Sequence, residues 1–308
     1  MTRFVVPEPV APVEPAPRST FSIVIAAYQA AATIGAAVSS ALAQTEPALE
    51  VIVCDDGSTD DLEQALAPYR DRIRLLRQRN AGAASARNQA ARAARGEFVV
   101  VLDADDVYDP RRVEALADLA TARPDLDIVT TDAYFEKDGE VIGRFNWSNP
   151  FAVDDQRARI LENCFVGGWP AVRRSRLLAA GGFDQSLRIG YDWDCWLRLI
   201  LDGARAGLVD EPLMTYRLHG GSLSANRVES LRERVRLLGK AKADPSLSRR
   251  ERRILQRSIR WQRIRLEREE ALAEGRPLPL RLALDPRFWA RRALAVPVAA
   301  RLRAARRP

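Results

Sequence analysis

One histidine, two methionines and three cysteines in 308 residues leave little material for soft-metal or disulfide chemistry. Cys54, Cys164 and Cys195 form no CxxC pair and leave an odd one over, which excludes a zinc knuckle or a disulfide framework. They fit a reducing compartment and read as small packing residues. The chain also lacks any uninterrupted apolar run of about 18 residues, the length a membrane-crossing helix needs. Its opening, "MTRFVVPEPVAPVEPAPRST", puts proline and acid where a signal peptide has an apolar stretch, so a cytoplasmic location is expected. Residues 1–248 lack a positive excess too. The overall charge is +7, but residues 249–308 contribute +12 and leave the rest at −5. Phosphate neutralisation dominates nucleic-acid affinity, so the acidic body argues against such a partner.

What is present is a rhythm. After a proline-rich lead-in over residues 1–20, expected to be disordered, apolar runs alternate with helical spacing. "FSIVIAAY", "LEVIVCDD", "IRLLRQ", "EFVVVLDADD" and "DIVTTDAYF" read as strands. "AATIGAAVSSALAQ", "STDDLEQALAPY", "AGAASARNQAARAARG" and "PRRVEALADLATA" read as the helices between them. Such alternation predicts an α/β fold with a mostly parallel central sheet flanked by helices. Ligands of such sheets bind beyond the carboxyl ends of the strands. Ala27-Tyr28, "DDGS" from Asp55 and "DADD" from Asp103 all fall on that edge.

In "FVVVLDADDVYDP" five apolar residues run into like charges. Asp103 and Asp105, two apart as the chain leaves the strand, suit a hard divalent cation whose other positions are filled by phosphate oxygens and water. Aspartates at strand ends also serve as turn and cap residues, which is the reading for Asp106 and Asp109.

The blocks "SIVIAAYQAAATIGAAVSSALAQT…EVIVCDDGSTD", "NAGAASARNQA", "GEFVVVLDADD", "GGFDQSL", "GYDWDCWLRL" and "YRLHGGSLS" occur in this order. Together they resemble the family 2 glycosyltransferases of the GT-A fold, over roughly residues 21–226. The resemblance implies a catalytic domain over 21–227, with a donor half to about 135 and an acceptor half after it. Residues 228–308 then form a helical, arginine-rich extension.

The resemblance also implies roles. Asp55 would contact the base of a nucleoside-diphosphate sugar, with Ala27 and Tyr28 shaping the same pocket. Asn80, Gly82, Arg87 and Asn88 would lie on the donor side, Arg87 as the direct contact. Asp103 would face the ribose or metal and Asp105 would be the principal ligand of Mn²⁺ or Mg²⁺. His219 would complete that metal site or serve as a structural histidine, with Arg217 and Ser222 on the donor phosphates or the loop. Asp192 takes the place of the base that deprotonates the acceptor hydroxyl in an inverting transfer, and Tyr191 stands where the family more often has glutamate. A helix-start acid favourable to the dipole is the other reading of Asp192. Gly168, Trp169, Tyr191 and Trp193 fall on the acceptor side, with core packing equally open for Trp169.

The implied activity is transfer from a nucleotide sugar, with UDP favoured by Asp55, to a glycan, lipid-linked or other acceptor hydroxyl in cell-surface polysaccharide synthesis. Two other classes stand beside it: a non-catalytic nucleotide-sugar-binding relative marked by Tyr191, and a nucleotidyltransferase, which "AAYQAAATIG" disfavours by lacking a basic glycine-rich loop. The basic amphipathic tail, with Leu255, Ile259 and Leu266 near one face and Phe288 and Trp289 further on, has two readings. It either binds the inner face of the plasma membrane peripherally or packs on protein.

Overall fold

The computed structural model describes residues 2–9, 17–220 and 226–277; Ser222, Phe288 and Trp289 lie outside them. The strands are β1 (Phe4–Val5), β2 (Phe21–Ala27), β3 (Glu50–Asp55), β4 (Arg74–Arg77), β5 (Phe98–Asp103), β6 (Val107–Tyr108), β7 (Ile128–Lys137), β8 (Glu140–Arg144), β9 (Ala171–Arg173) and β10 (Ala206–Leu218). The helices are α1 (Ile34–Leu42), α2 (Leu62–Leu66), α3 (Ala83–Ala93), α4 (Arg112–Ala122), α5 (Phe145–Ser148), α6 (Gln156–Ile160), α7 (Arg174–Ala179), α8 (Tyr191–Leu201), α9 (Arg227–Lys240) and α10 (Arg249–Ala273). The strands join in one sheet of order β1-β10-β7-β9-β5-β2-β3-β4, with β6 beside β10 and β8 beside β7.

The half β5-β2-β3-β4 is parallel, as the alternation predicts. The other half is mixed. β9 runs antiparallel between β5 and β7, while β10 is parallel to β7. A three-residue strand with no helical crossover leaves no trace in periodicity, which is why the sheet is less parallel than expected. The lead-in also departs from expectation, since Phe4 and Val5 pair with Val209 and Leu208 on the far edge.

Both faces of the sheet are covered, so the strands alternate between two cores. Val24, Val99 and Val101 point to one core, together with α3 and α8. Ile23, Ile25, Phe98, Val100 and Leu102 point to the other, with α1 and α4. Alanines 84, 86, 90 and 91 are buried on α3, and their small side chains let it lie close on the sheet.

The basic extension is not separate from this body. Ile254, Leu255 and Ile259 of α10 are buried in the same core as α8. Ser248 and Glu251 form a capping box that starts α10, and Arg157 of α6 reaches across to the Glu251 carboxylate at 2.7 Å. No helix among the described residues is long and apolar enough to cross a membrane.

Burial opposes the charge on Glu251, and hydrogen bonds from Arg157 and Ser248 outweigh it, holding the carboxyl near 2 rather than 4.5. A depressed carboxyl stabilises the fold above its unfolded pKa and loses this contribution as pH falls through the folded one. Glu251→Gln should therefore lower the melting temperature at neutral pH. In a thermal-unfolding series the difference from wild type should shrink between about pH 4.5 and about pH 2.

Candidate functional site

A cavity of about 1720 Å³ opens at the carboxyl edge of the sheet. Single small-ligand pockets run to roughly 1,000 Å³, so this one exceeds what one small ligand fills. Its lining brings together Ala27, Tyr28, Asn80, Gly82, Arg87, Asp103, Asp105, Gly168, Trp169, Tyr191, Asp192, Trp193 and His219 from the residues singled out in the sequence.

Local hydrogen bonds build the end of the cavity beside β2 and β3. The Asp56 carboxylate accepts from the Ala81 and Gly82 N–H groups at 2.9 and 2.8 Å and from the Gln78 side chain at 2.6 Å, fixing the loop that enters α3. Tyr28 is half exposed at the rim. Beside it, Gln29 accepts from the N–H groups of Thr59 and Asp60, tying the β2 loop to the β3 loop.

The carboxylates at the end of β5 form the second feature. Oxygens of Asp103, Asp105 and Asp106 lie within 4.8 Å of one another. Their repulsion is met by protein groups on three sides. Arg87, buried on α3, pairs with Asp103. The Asp106 carboxylate, itself buried, accepts the Arg217 N–H at 2.8 Å, and burial with the charge of Asp103 pushes its pKa well up. His219 Nε2 stands 2.7 Å from Asp105 Oδ2. Three carboxylates and an imidazole make an oxygen-rich donor set that fits Mg²⁺ or Mn²⁺, with the imidazole favouring Mn²⁺.

Bringing His219 across 114 positions to Asp105 is the work of β10. Register shifts around Pro212, which has no N–H to give the ladder, bend this strand. Its last part pairs with β6 just beyond the aspartates, Met214 opposite Tyr108 and Thr215 opposite Val107.

Asp192 occupies the first turn of α8, half-buried, facing the same cavity. Burial raises its pKa, opposed by Arg87 and by a backbone hydrogen bond and assisted by Asp103. A carboxylate moved upward is better matched to accepting a proton near neutral pH. A Cβ on Gly168 would stand only 3.1 Å from Asp192 Oδ2, so glycine there keeps space beside the carboxylate. The Tyr191 ring lies against the Arg87 guanidinium, 4.9 Å from its carbon to the ring centroid. The cation is thus held between Asp103 and an aromatic face. Its Nε, also buried, has no hydrogen-bond partner among the described residues.

Other residues are placed outside the cavity wall or serve in packing. The Asp55 carboxylate accepts from Ser58 N–H at 2.8 Å and faces Arg77 at 3.3 Å, while Asp56 is the one lining the cavity. Asn88 spends its amide on both backbone groups of Phe183 and does not reach the cavity. The Arg217 side chain turns to Glu136. Trp169 and Trp193 line the cavity by an edge, and each is over nine-tenths buried with its indole N–H bonded to a backbone carbonyl. Asp194 binds Arg198 and Lys240, tying α8 to α9.

Sequence reasoning missed Asp106 as a member of the carboxylate cluster, although it is the third acid of "DADD". It missed Arg112, which is fully buried and donates to the Trp169 carbonyl at 2.7 Å. It also missed the wall contributed by α9 and α10, where Arg234, Arg257, Trp261 and Arg265 line the cavity. A four-residue recurrence at 257, 261 and 265 was the available signal.

A carboxyl whose folded pKa is raised costs stability when ionised, and this cost vanishes at low pH where both states are protonated. Asp192→Asn should therefore melt at or above the wild-type temperature at neutral pH. Any advantage should close as pH falls below the ordinary carboxylate range of about 4. A clear loss of stability at neutral pH would contradict the raised pKa.

Residues 22–181 match the family described as Glycosyl transferase family 2, half of the chain. A UDP-Glc:α-D-GlcNAc-diphosphoundecaprenol β-1,3-glucosyltransferase of Escherichia coli, WfaP, is 30% identical over 216 residues, covering 68% of this chain and 82% of that one. Succinoglycan biosynthesis protein ExoO of Rhizobium meliloti is 33% identical over 224 residues, covering 69% of this chain and 64% of that one. Among solved structures, S. aureus TarS 1-349 in complex with UDP-GlcNAc aligns with a TM-score of 0.62 at 19% identity, over 78% of this chain and 71% of that one. The mannosyltransferase PcManGT from Pyrobaculum calidifontis, in complex with GDP-Man and Mn²⁺, gives 0.62 at 21% identity over 94% and 85%. The mixed sheet with its flanking helices is the GT-A architecture, and the chain belongs to glycosyl transferase family 2 as a glycosyltransferase.

Proposed function

We propose that the protein is a metal-dependent inverting glycosyltransferase that moves a sugar from a nucleoside-diphosphate donor, UDP-linked in preference, to a hydroxyl of a glycan or lipid-linked acceptor in cell-surface polysaccharide synthesis. The observation that carries this reading is the sharing of one cavity by Asp192 and the Asp103, Asp105 and His219 cluster. The relatives support the donor class: WfaP is named for UDP-Glc, the TarS complex holds UDP-GlcNAc, and PcManGT holds GDP-Man with Mn²⁺.

In this reading the nucleotide lies between the Tyr28 rim and the loop held by Asp56, with its diphosphate toward Asp105 and Arg87. Asp105 and His219, with Asp103 beside them, would hold a divalent ion, which when bound would supply Lewis-acid stabilisation of the departing diphosphate. Asp192 takes the proton of the acceptor hydroxyl as that oxygen bonds to the anomeric carbon. The bond from this carbon to the diphosphate oxygen breaks, and its electron pair leaves with the nucleoside diphosphate. Arg87 then acts as a fixed cation facing the charge that develops. Tyr191, in place of glutamate, removes a negative charge beside Asp192 and leaves Arg87 as the neighbour that sets its charge.

The test is release of nucleoside diphosphate from a panel of nucleotide sugars, with Mn²⁺ or Mg²⁺ and then with EDTA. Turnover of one donor with metal, abolished by EDTA and by Asp105→Ala, is expected. Asp192→Asn should lower the transfer rate by roughly 10²–10⁴-fold while donor binding persists, the range for loss of a general base. Donor binding with no turnover, even with acceptor extracts, would instead favour the non-catalytic relative. Gly168→Ala, which crowds Asp192 Oδ2, should reduce kcat with little change in donor affinity.

A further inference from the structure

The cavity that holds Asp192 and the β5 aspartates also has a wall of opposite charge. Five arginines from α6, the loop before α8, α9 and α10 line it, Arg159, Arg188, Arg234, Arg257 and Arg265, with Glu162 the one acid from those segments. Arg159 is paired with that acid at 2.9 Å. Arg188, Arg234 and Arg257 form no ion pair or hydrogen bond with any described residue. Elsewhere on α9 and α10, Arg227, Arg232, Arg236 and Arg268 each find a glutamate partner, whereas Arg253, Arg260 and Arg263 are exposed outside the cavity, so it is the place in the cavity lining that sets Arg188, Arg234 and Arg257 apart.

The three unpaired arginines come from separate pieces of chain. Arg188 is on the loop before α8, Arg234 on α9 and Arg257 on α10. They converge because α9 packs against α8, while α10 packs on α9 and α6. Leu237 Cδ2 would stand 3.0 Å from a Cβ on Gly190, and Arg234, one turn earlier, shares its face of α9. Neighbours then run continuously through the cavity. Arg87 feels both Asp103 and Asp192, while the Cys164 thiol feels both Asp192 and Arg234. Arg234 is half-buried, and a guanidinium withdrawn from water without a partner is costly unless an anion fills its place. Along α10, Arg257, Trp261 and Arg265 recur every fourth residue and all line the cavity, giving cations with an aromatic ring among them.

We infer that Arg188, Arg234 and Arg257 bind a phosphate or diphosphate carried by the acceptor, at this wall of the cavity. The inference rests on the transferase reading and deepens it. The anion anchors the acceptor so that the hydroxyl of its attached sugar faces Asp192, and arginine forks suit phosphate oxygens bidentately. A lipid carrier and a phosphate-bearing polymer both present this group.

The probes are octyl diphosphate, inorganic pyrophosphate and uncharged octyl glucoside, titrated calorimetrically into the full chain with Mn²⁺ and saturating UDP to block the donor site. UDP is titrated first. Absence of UDP binding would sink the donor reading alone, because the arginine dependence of octyl diphosphate binding still judges the acceptor site. The expected result is binding of octyl diphosphate but not octyl glucoside, weakened at least about tenfold in Arg188→Gln/Arg234→Gln/Arg257→Gln. A charge-matched control, Arg253→Gln/Arg260→Gln/Arg263→Gln, alters exposed positions of α10 outside the cavity and should bind as wild type does. Melting temperatures check that both variants fold; should the triple variant fail to fold, the single substitution Arg257→Gln, at an exposed position, is measured in its place. Equal binding of inorganic pyrophosphate assigns recognition to the phosphates alone, and tighter binding of the octyl form adds a lipid carrier. No binding of either diphosphate, equal binding of octyl glucoside, or equal weakening in the control overturns the inference.

Discussion

Repulsion among the carboxylates at the end of β5 is the constraint around which the site is organised. Asp103, Asp105 and Asp106 lie too close together to be left uncompensated in a partly dry cleft. Each therefore has its own answer: the buried Arg87 for Asp103, the Arg217 N–H and burial for Asp106, His219 for Asp105. The first of these reaches furthest. Arg87 is over nine-tenths buried, so it needs carboxylate company, and Asp192 is the next carboxylate to feel it. The cluster that would face the donor diphosphate and the acid that would serve the acceptor are thus coupled through one guanidinium. Tyr191 belongs to the same arrangement, since its ring covers that guanidinium.

Around that centre the fold supplies rigidity by tying distant segments together. β10 bends at Pro212 and returns to β6, which sets His219 beside Asp105. Asn88 holds the Phe183 backbone against α3. Gly182 must be glycine there, because its φ is +73° and a Cβ would meet Asn88 Oδ1 at 2.3 Å. Asp194, Arg198 and Lys240 join α8 to α9, and Arg157 with Glu251 joins α6 to α10. Part-buried ionic contacts of this kind add modest net stability, but they restrict which packing of the helices is acceptable. The basic extension consequently works as a wall of the cavity.

Much of residues 21–135 was legible in the chain itself. Apolar runs ending in polar turns placed β2, β3 and β5, and with them Tyr28, the Asp55-Asp56 pair and the aspartates, on one edge. Local chemistry suffices for this, because strand period, glycine turns and helix starts are short-range properties. Roles that depend on which way a side chain turns were less legible. Asp55 and Asp56 are adjacent, yet the first closes a turn with Ser58 while the second holds the α3 loop at the cavity. Asn88 and Arg87 are likewise adjacent on α3, one bonded to Phe183 and the other to Asp103.

Patterns a few residues long were enough to specify the α/β architecture, the carboxylate-rich edge and the position of Asp192 at a helix start. Tertiary structure alone decided three things: that β9 enters antiparallel, that His219 meets Asp105, and that α9 and α10 face the cavity. The reason is the same in all three. Burial of apolar faces such as Ile254, Leu255 and Ile259 is non-directional, and only the complete core selects the surface they cover. Once that surface is chosen, Arg257, Trp261 and Arg265, which flank the buried face, have their place at the cavity determined with it.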